Sequence, residues 1–294
     1  MALSLISAEQ ALRELDQFDT VIDSRSEDEF ALDRLPGAVN WPTLNNDERR
    51  IVGTTYKQID AFEARKRGAA MAARNIAAHI EREVIGKPKS WRPLAYCWRG
   101  GQRSGALALI LDQIGFKVTL VQGGYKAYRS AVLQALPGLT QALRYQVVCG
   151  ATGSGKTRLL HALAAAGAQV LDLEGLANHR SSVLGAIPGQ PQPSQKQFES
   201  RLWQVMQRFD TTRPVFVESE SKKIGNLSVP LELMAALRAS PCLNLELPEA
   251  ERVALLLEDY AFFLHNAEVL CERLQALTAL RGKLLVEAWK ARVV

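Results

Sequence analysis

What this 294-residue sequence lacks narrows its class first. Only four cysteines occur, Cys97, Cys149, Cys242 and Cys271, far apart and with no CxxC. Neither a disulfide framework nor a zinc site is signalled, so all four are expected to be free thiols. No apolar run approaches the roughly 18 residues of a membrane span, and the opening MALSLISAEQ has neither a basic flank nor a long apolar stretch. A soluble, cytoplasmic protein with no membrane partner is expected. Charge of one sign is not in large excess either: 36 Lys+Arg against 31 Asp+Glu leave a net charge of +5. That surplus is compatible with an anionic partner but does not by itself point to one. No internal repeat or low-complexity tract appears.

What is there suits an α/β protein of two domains. With 47% hydrophobic and 23% charged residues the chain can bury sizeable cores. Ser7 to Leu15 reads as a short amphipathic helix after a Ser7 cap, Thr20–Asp23 as a buried strand, and Leu35–Pro42 as a loop around a short strand. Ala61 to Arg82 reads as a long helix. Pro93–Tyr96 is an apolar strand running into Cys97, followed by a helix from Ser104 to Ile114 and a strand at Lys117–Val121. This strand, loop, helix, strand order predicts a parallel sheet with the loop at its carboxyl edge. Leu136-Pro137-Gly138 reads as the link between domains, which sets their limits at 1–138 and 139–294. Beyond it, strands are expected at Tyr145–Cys149, Gln169–Asp172, Pro214–Glu218 and Cys242–Leu247. Helices are expected at Thr157–Ala166, Gln195–Phe209, Pro230–Ala239 and Glu249–Tyr260, with helix throughout after Phe262. The Pro- and Gly-rich segment Gly185–Ser194 reads as a loop bordering the site.

Two anion cradles stand out. Cys97-Trp98-Arg99-Gly100-Gly101-Gln102-Arg103-Ser104 puts a thiol near a helix N-terminus, where backbone N–H groups and the charges of Arg99 and Arg103 favour thiolate. Such a thiolate can attack sulfur or selenium on a good leaving group, and the same N–H groups can hold the resulting anion. Cys97, Arg99 and Arg103 are therefore the candidate catalytic residues, whereas Cys149, Cys242 and Cys271 read as inert. The second cradle is a full G-x-x-x-x-G-K-[ST] phosphate loop, Gly150-Ala151-Thr152-Gly153-Ser154-Gly155-Lys156-Thr157, placed between an apolar strand and a helix. Gly150, Thr152, Gly153, Ser154, Gly155, Lys156 and Thr157 are the expected phosphate-binding residues. Thr157 and Glu218, with Asp172 as the alternative carboxylate, are the expected ligands of Mg²⁺.

The residues Asp23-Ser24-Arg25, Glu29-Phe30, Pro36-Gly37-Ala38-Val39-Asn40 and the Cys97 loop resemble the rhodanese domain. Together with Asn45–Arg49, Val52-Gly53-Thr54, Tyr56-Lys57-Gln58, Gly123–Lys126 and Leu171–Arg180, the chain resembles the bacterial tRNA 2-selenouridine synthases, from near residue 10 to about residue 260. The resemblance implies an N-terminal rhodanese-like parallel-sheet domain, then a P-loop NTPase-like α/β domain with a helical C-terminal region. It implies a transferase acting on tRNA that carries 2-thiouridine at the wobble position, U34. Selenium from selenophosphate would replace sulfur through an S-geranyl-2-thiouridine intermediate made from geranyl diphosphate. Cys97 matches the family's catalytic cysteine, and a selenophosphate-producing enzyme is an expected partner.

On the RNA side, Arg65, Lys66, Arg67 and Arg74 share a helix and are expected to meet phosphates. Trp98, beside the thiol, is the first choice among Trp41, Trp91 and Trp98 for stacking on the wobble base. The chain departs from the family pattern at Ser182, where glycine is expected. It also ends at Val294 without the family's further helical stretch and His-Tyr-Asp-Pro-type ending, a difference expected to weaken tRNA grip or activity. Two other readings of the residues stay open: a sulfurtransferase coupled to an ATP- or GTP-driven domain, and a non-catalytic tRNA-binding protein.

Overall fold

In the computed structural model, which describes residues 3–180, 182, 184–265 and 267–293, the chain divides into two units, Met1–Gln134 and Ala135–Val294. The first unit begins with β1 (Ser4–Ile6), α1 (Ala8–Arg13), β2 (Thr20–Asp23), α2 (Glu27–Leu32) and β3 (Ala38–Asn40). Ser7 caps α1 by accepting a hydrogen bond from the Gln10 N–H, as its sequence position predicts. The chain continues through α3 (Asn46–Gln58), α4 (Ala61–His79), β4 (Pro93–Tyr96), α5 (Gln102–Ile114), β5 (Thr119–Val121) and α6 (Gly124–Ala142). The long helix expected to reach Arg82 is α-helical to His79 and then passes into a π-helical turn over Ile80–Val84.

The strands of this unit form one parallel sheet in the order β1-β5-β4-β2-β3. All four residues of β4 are buried, as expected of an apolar strand covered on both faces. Ile22, Trp41, Ile76, Trp91, Leu107, Leu111 and Leu120 share one core cluster. Trp41 and Trp91 are thereby core residues, whereas Trp98 remains 36% exposed.

Leu136-Pro137-Gly138, expected as a loop linking the domains, lies four residues or fewer from the division after Gln134 but is helix rather than loop. These residues lie inside α6, which runs through Pro137. Buried Val132, Leu136, Thr140 and Leu143 repeat at helical spacing on one face and outweigh the single N–H that proline removes.

The second unit continues with β6 (Arg144–Cys149), α7 (Lys156–Ala165), β7 (Gln169–Leu171), α8 (Leu173–Ala177), α9 (Gln195–Met206) and β8 (Pro214–Glu218). A small antiparallel pair follows, β9 (Lys223–Ile224) and β10 (Leu227–Ser228), then α10 (Leu231–Arg238), β11 (Cys242–Asn244) and α11 (Glu249–Asp259). The chain ends in α12 (Ala267–Gln275), α13 (Thr278–Arg281) and α14 (Lys283–Lys290). The sheet is parallel, in the order β11-β6-β8-β7. No helix among the described residues is long and apolar enough to cross a membrane.

The expectation of four free thiols is also corrected, because Cys149 and Cys242 are joined in a disulfide, leaving Cys97 and Cys271 free. The physical reason is strand pairing. In the parallel pair β11·β6, Cys242 lies opposite Val147 and Asn244 opposite Cys149, so the two cysteines are diagonal neighbours with Cα atoms 6.2 Å apart. A spacing of 93 residues hides that adjacency from the sequence.

Candidate functional site

The first cradle grows out of β4. The buried strand ends at Tyr96, Cys97 follows at once, and α5 starts at Gln102 with no side chain capping its N-terminus. The first N–H groups of such a helix have no internal partner and favour a negative charge. Here Gly101 N–H and Ser104 Oγ–H both donate to Cys97 Sγ at 3.2 Å. Burial pushes the thiol up. The donors from Ser104 and Gly101, with the Arg103 charge behind them, more than offset it and hold Cys97 below the ordinary thiol value.

The loop is fixed from the other side by the start of α6. Tyr125 N–H donates to the Cys97 carbonyl at 2.8 Å and Lys126 N–H to the Trp98 carbonyl at 3.0 Å. Gly124 makes this approach possible: at φ +56°, a Cβ there would stand 2.2 Å from the Cys97 carbonyl oxygen.

The two arginines of the loop have different places. Arg99 is exposed, while Arg103 Nη1 donates to Glu29 Oε2 at 2.7 Å and Arg49 Nε meets the same carboxylate at 3.0 Å. Burial pushes the Glu29 carboxyl up, but Arg103, Arg49 and Ser26 outweigh it and hold it below the usual value.

Beneath lies a buried network. Arg25, 1% exposed, forks onto Asp23 with Nη2 at 2.6 Å from Oδ2, Tyr96 donates to the same carboxylate at 2.7 Å, and the guanidinium sits 3.9 Å from the centre of the Tyr125 ring. Trp98 in turn stacks on Tyr125, with ring centroids 5.4 Å apart. The network therefore positions the aromatic pair beside the thiol.

The second cradle joins β6 to α7. A Cβ at Gly150, where φ is +150°, would lie 2.6 Å from the Leu245 carbonyl oxygen and from Ser154 Oγ, so the tight turn requires glycine. Gly150, Thr152, Gly153, Gly155, Lys156 and Thr157 all line one cavity of about 580 Å³, while Ser154 is packed beneath the loop with its Oγ unpartnered. Lys156 Nζ donates to the carbonyls of Gly150 (2.9 Å) and Ala151 (3.2 Å). The cavity also presents apolar Ile187, Leu256 and Tyr260, and Ile187 belongs to the loop expected to border the site. Ser182 hydrogen-bonds Tyr260 across 2.7 Å. Ser181, in the stretch compared with the family pattern, lies outside the described residues.

The carboxylate at Thr157 is Glu174, not Glu218: Thr157 Oγ1 donates to Glu174 Oε2 at 3.1 Å. Glu218 stands behind, 1% exposed, accepting the Glu174 N–H at 2.9 Å. Burial and then the nearby Asp172 charge push its carboxyl up to about 8. Asp172 caps α8 and hydrogen-bonds His161 at 3.1 Å. Among the described residues no three or more His, Cys, Asp or Glu gather as a metal site. The Thr157 hydroxyl with the Glu174 carboxylate is nonetheless the hard-oxygen pair that suits Mg²⁺, which keeps most of its shell for phosphate and water. Glu174 lies in the Leu171–Arg180 stretch that carries the resemblance, but its place beside Thr157 depends on where α8 docks.

Comparison with known proteins matches a family model to each domain. A rhodanese-like domain model matches residues 7–131, and a tRNA 2-selenouridine synthase AAA domain model matches residues 143–287. The chain is 37% identical over 244 residues to the tRNA 2-selenouridine synthase of Nitrosomonas europaea, covering 82% of this chain and 63% of that protein. It is 37% identical to that of Marinobacter nauticus, covering 82% and 65%, and 33% identical to that of Bdellovibrio bacteriovorus, covering 88% and 69%. The chain thus spans about two thirds of the length of these relatives.

Proposed function

The chain belongs to the tRNA 2-selenouridine synthase family, and on that premise we propose that it replaces sulfur by selenium in wobble 2-thiouridine of tRNA, with geranyl diphosphate and selenophosphate as co-substrates. A thiocarbonyl sulfur is a poor leaving group, and alkylation makes it a better one. In the first step the allylic carbon bonds to sulfur while its C–O bond breaks, diphosphate departs with the electron pair, and the N3 proton of the base passes to water. The N–H groups of the phosphate loop and Lys156 meet that developing charge. Ile187, Leu256 and Tyr260 offer the same cavity an apolar wall for the prenyl chain. Mg²⁺, held by Thr157 with Glu174 beside it, would neutralise part of the diphosphate charge.

In the second step selenium bonds to C2 and the C–S bond breaks. Geranylthiol leaves, and the phosphoryl group of selenophosphate passes to water. We assign to the Cys97 loop the holding of the selenide so released, since its donors from Gly101 and Ser104 suit a chalcogen anion. The hydrogenselenide attacks C2 and its proton goes to the departing thiolate, so no selenium–Cys97 bond and no oxidant are needed. Arg99 adds exposed positive charge at the loop, and Arg103 secures it through Glu29.

The observation that carries this reading is the presence in one chain of a hydrogen-bonded, depressed thiol and a phosphate loop opening into a partly apolar cavity. Mass spectrometry of nucleosides from 2-thiouridine tRNA incubated with both co-substrates tests it. Wild type is expected to give selenouridine, Cys97→Ala to accumulate the S-geranyl intermediate, and Lys156→Ala to give neither. Selenium or sulfur transfer that needs ATP or GTP hydrolysis, and no geranyl diphosphate, would replace this reading with the nucleotide-driven sulfurtransferase.

A further inference from the structure

The helical hairpin α3–α4 leaves an apolar tip that the fold does not use. The two helices pack through Thr55 and Ala64, both buried, and through Val52, whose methyl carbons lie 3.5 Å from where a Cβ on Gly68 would stand. Residues on the opposite faces must then point outward. Tyr56, Ile59 and Phe62 do so, at 62%, 63% and 64% exposure. The tip is also rigid: Asp60 caps α4 through the N–H groups of Phe62 and Glu63. Three large apolar side chains held in the open on a fixed turn mark an interaction surface.

Charge decides the occupant. Lys66 pairs with Glu63 and Arg50 with Asp47, whereas Lys57, Arg65, Arg67 and Arg74 are exposed and, among the described residues, pair with no carboxylate. A second copy of this chain would bring these cations against themselves, and like charges across an interface are costly. A polyanion with planar apolar faces satisfies both features. Nucleotides in a duplex are already stacked, and the deep groove of A-form RNA keeps side chains out, so the bases must be unpaired. We propose that the α3–α4 tip binds the unpaired loop of an RNA, with bases stacking on Tyr56 and Phe62 and phosphates meeting Lys57, Arg65 and Arg67.

Position supports the assignment. The base of α3 is tied to the thiol loop through Arg49, Glu29 and Arg103. Tyr56 is seven residues beyond Arg49 along α3, about 10 Å at the helical rise, so the tip stands on the same helix whose base is tied to the cradle. The inference rests on the RNA-substrate reading above.

The test is fluorescence anisotropy of the full chain with a labelled RNA stem carrying an unpaired loop, against a fully paired RNA of the same length. The double variant Tyr56→Ala/Phe62→Ala is expected to weaken loop binding about tenfold or more while leaving duplex binding unchanged, since base stacking on the two rings is lost and the phosphate contacts remain. Tyr56→Trp/Phe62→Trp restores it. Arg65→Gln/Arg67→Gln weakens both RNAs and lowers the slope of log affinity against log salt by about 1.4–1.8, the share of two phosphate contacts. Circular dichroism and Cys97 alkylation confirm that each variant is folded. Loop binding by the double alanine variant equal to wild type overturns the proposal while leaving selenation intact. A wild type that binds neither RNA overturns both this inference and the reading it rests on. A double alanine variant that turns a sedimenting dimer into a monomer, with RNA binding unchanged, assigns the tip to self-association instead.

Discussion

Glu218 shows how the meaning of a single residue depends on what is packed around it. Following an apolar strand, it reads in sequence as a strand-end carboxylate able to serve a metal. In the fold it is almost wholly buried, accepts the Glu174 N–H, and has its second oxygen unpartnered. Its carboxyl is raised from the usual value to about 8 by burial and then by Asp172. A raised acid binds its proton more tightly in the folded state than in the unfolded chain. Between the ordinary carboxylate range and about pH 8 the folded state therefore holds more protons, and stability falls as pH rises. Glu218→Gln keeps the acceptor and removes the titration. Its melting temperature is expected to gain on wild type progressively from pH 5 to pH 8, by at least about 2 °C; parallel curves for the two proteins would show that Glu218 does not titrate in this window. Cys97 and the phosphate loop were legible because each cradle is a contiguous run whose backbone supplies most of its donors. Glu29 meets Arg103 and Asp23 meets Tyr96 across more than seventy residues, and Glu174 meets Thr157 only once α8 docks, so tertiary packing alone reveals these partners.

At the scale of elements, strands and helices with a strong apolar period were readable to within a few residues, as Thr20–Asp23, Pro93–Tyr96 and Pro214–Glu218 show. The three-residue edge strand β1 carries too little pattern to be seen. The α3 helix, polar over most of its length and with one buried residue, was equally hidden. The element that departs most from its sequence pattern is α6. Proline and glycine at 137 and 138 are the usual punctuation of a loop, yet the buried face from Val132 to Leu143 carries the helix through them. Gly138 therefore sits in an exposed helix interior, with nothing within 4 Å of an added Cβ. Gly138→Ala is expected to stabilise the protein by about 0.5–1 kcal/mol in chemical denaturation. A linker at this position would instead show no change or a loss.

The whole molecule joins two parallel-sheet units, each with its own core and its own anion cradle. Each cradle draws its hydrogen-bond donors and acceptors from residues of its own unit. Lys156→Ala should leave the rate of Cys97 alkylation unchanged, and Cys97→Ala should leave diphosphate affinity unchanged. The proposed chemistry sharpens this. Geranylation needs Lys156 and the phosphate loop, selenation needs Cys97, and the intermediate between them is an intact tRNA able to leave one molecule and bind another. Each variant alone is expected to make no selenouridine. A mixture of the two is expected to make it, because the Cys97→Ala protein supplies the S-geranyl tRNA that the Lys156→Ala protein consumes. Mass spectrometry of nucleosides from the mixture decides the matter. Selenouridine in the mixture makes the two cradles successive stations visited by a diffusing RNA. Its absence, with the S-geranyl form still accumulating, would mean that both cradles must act on the substrate within one chain.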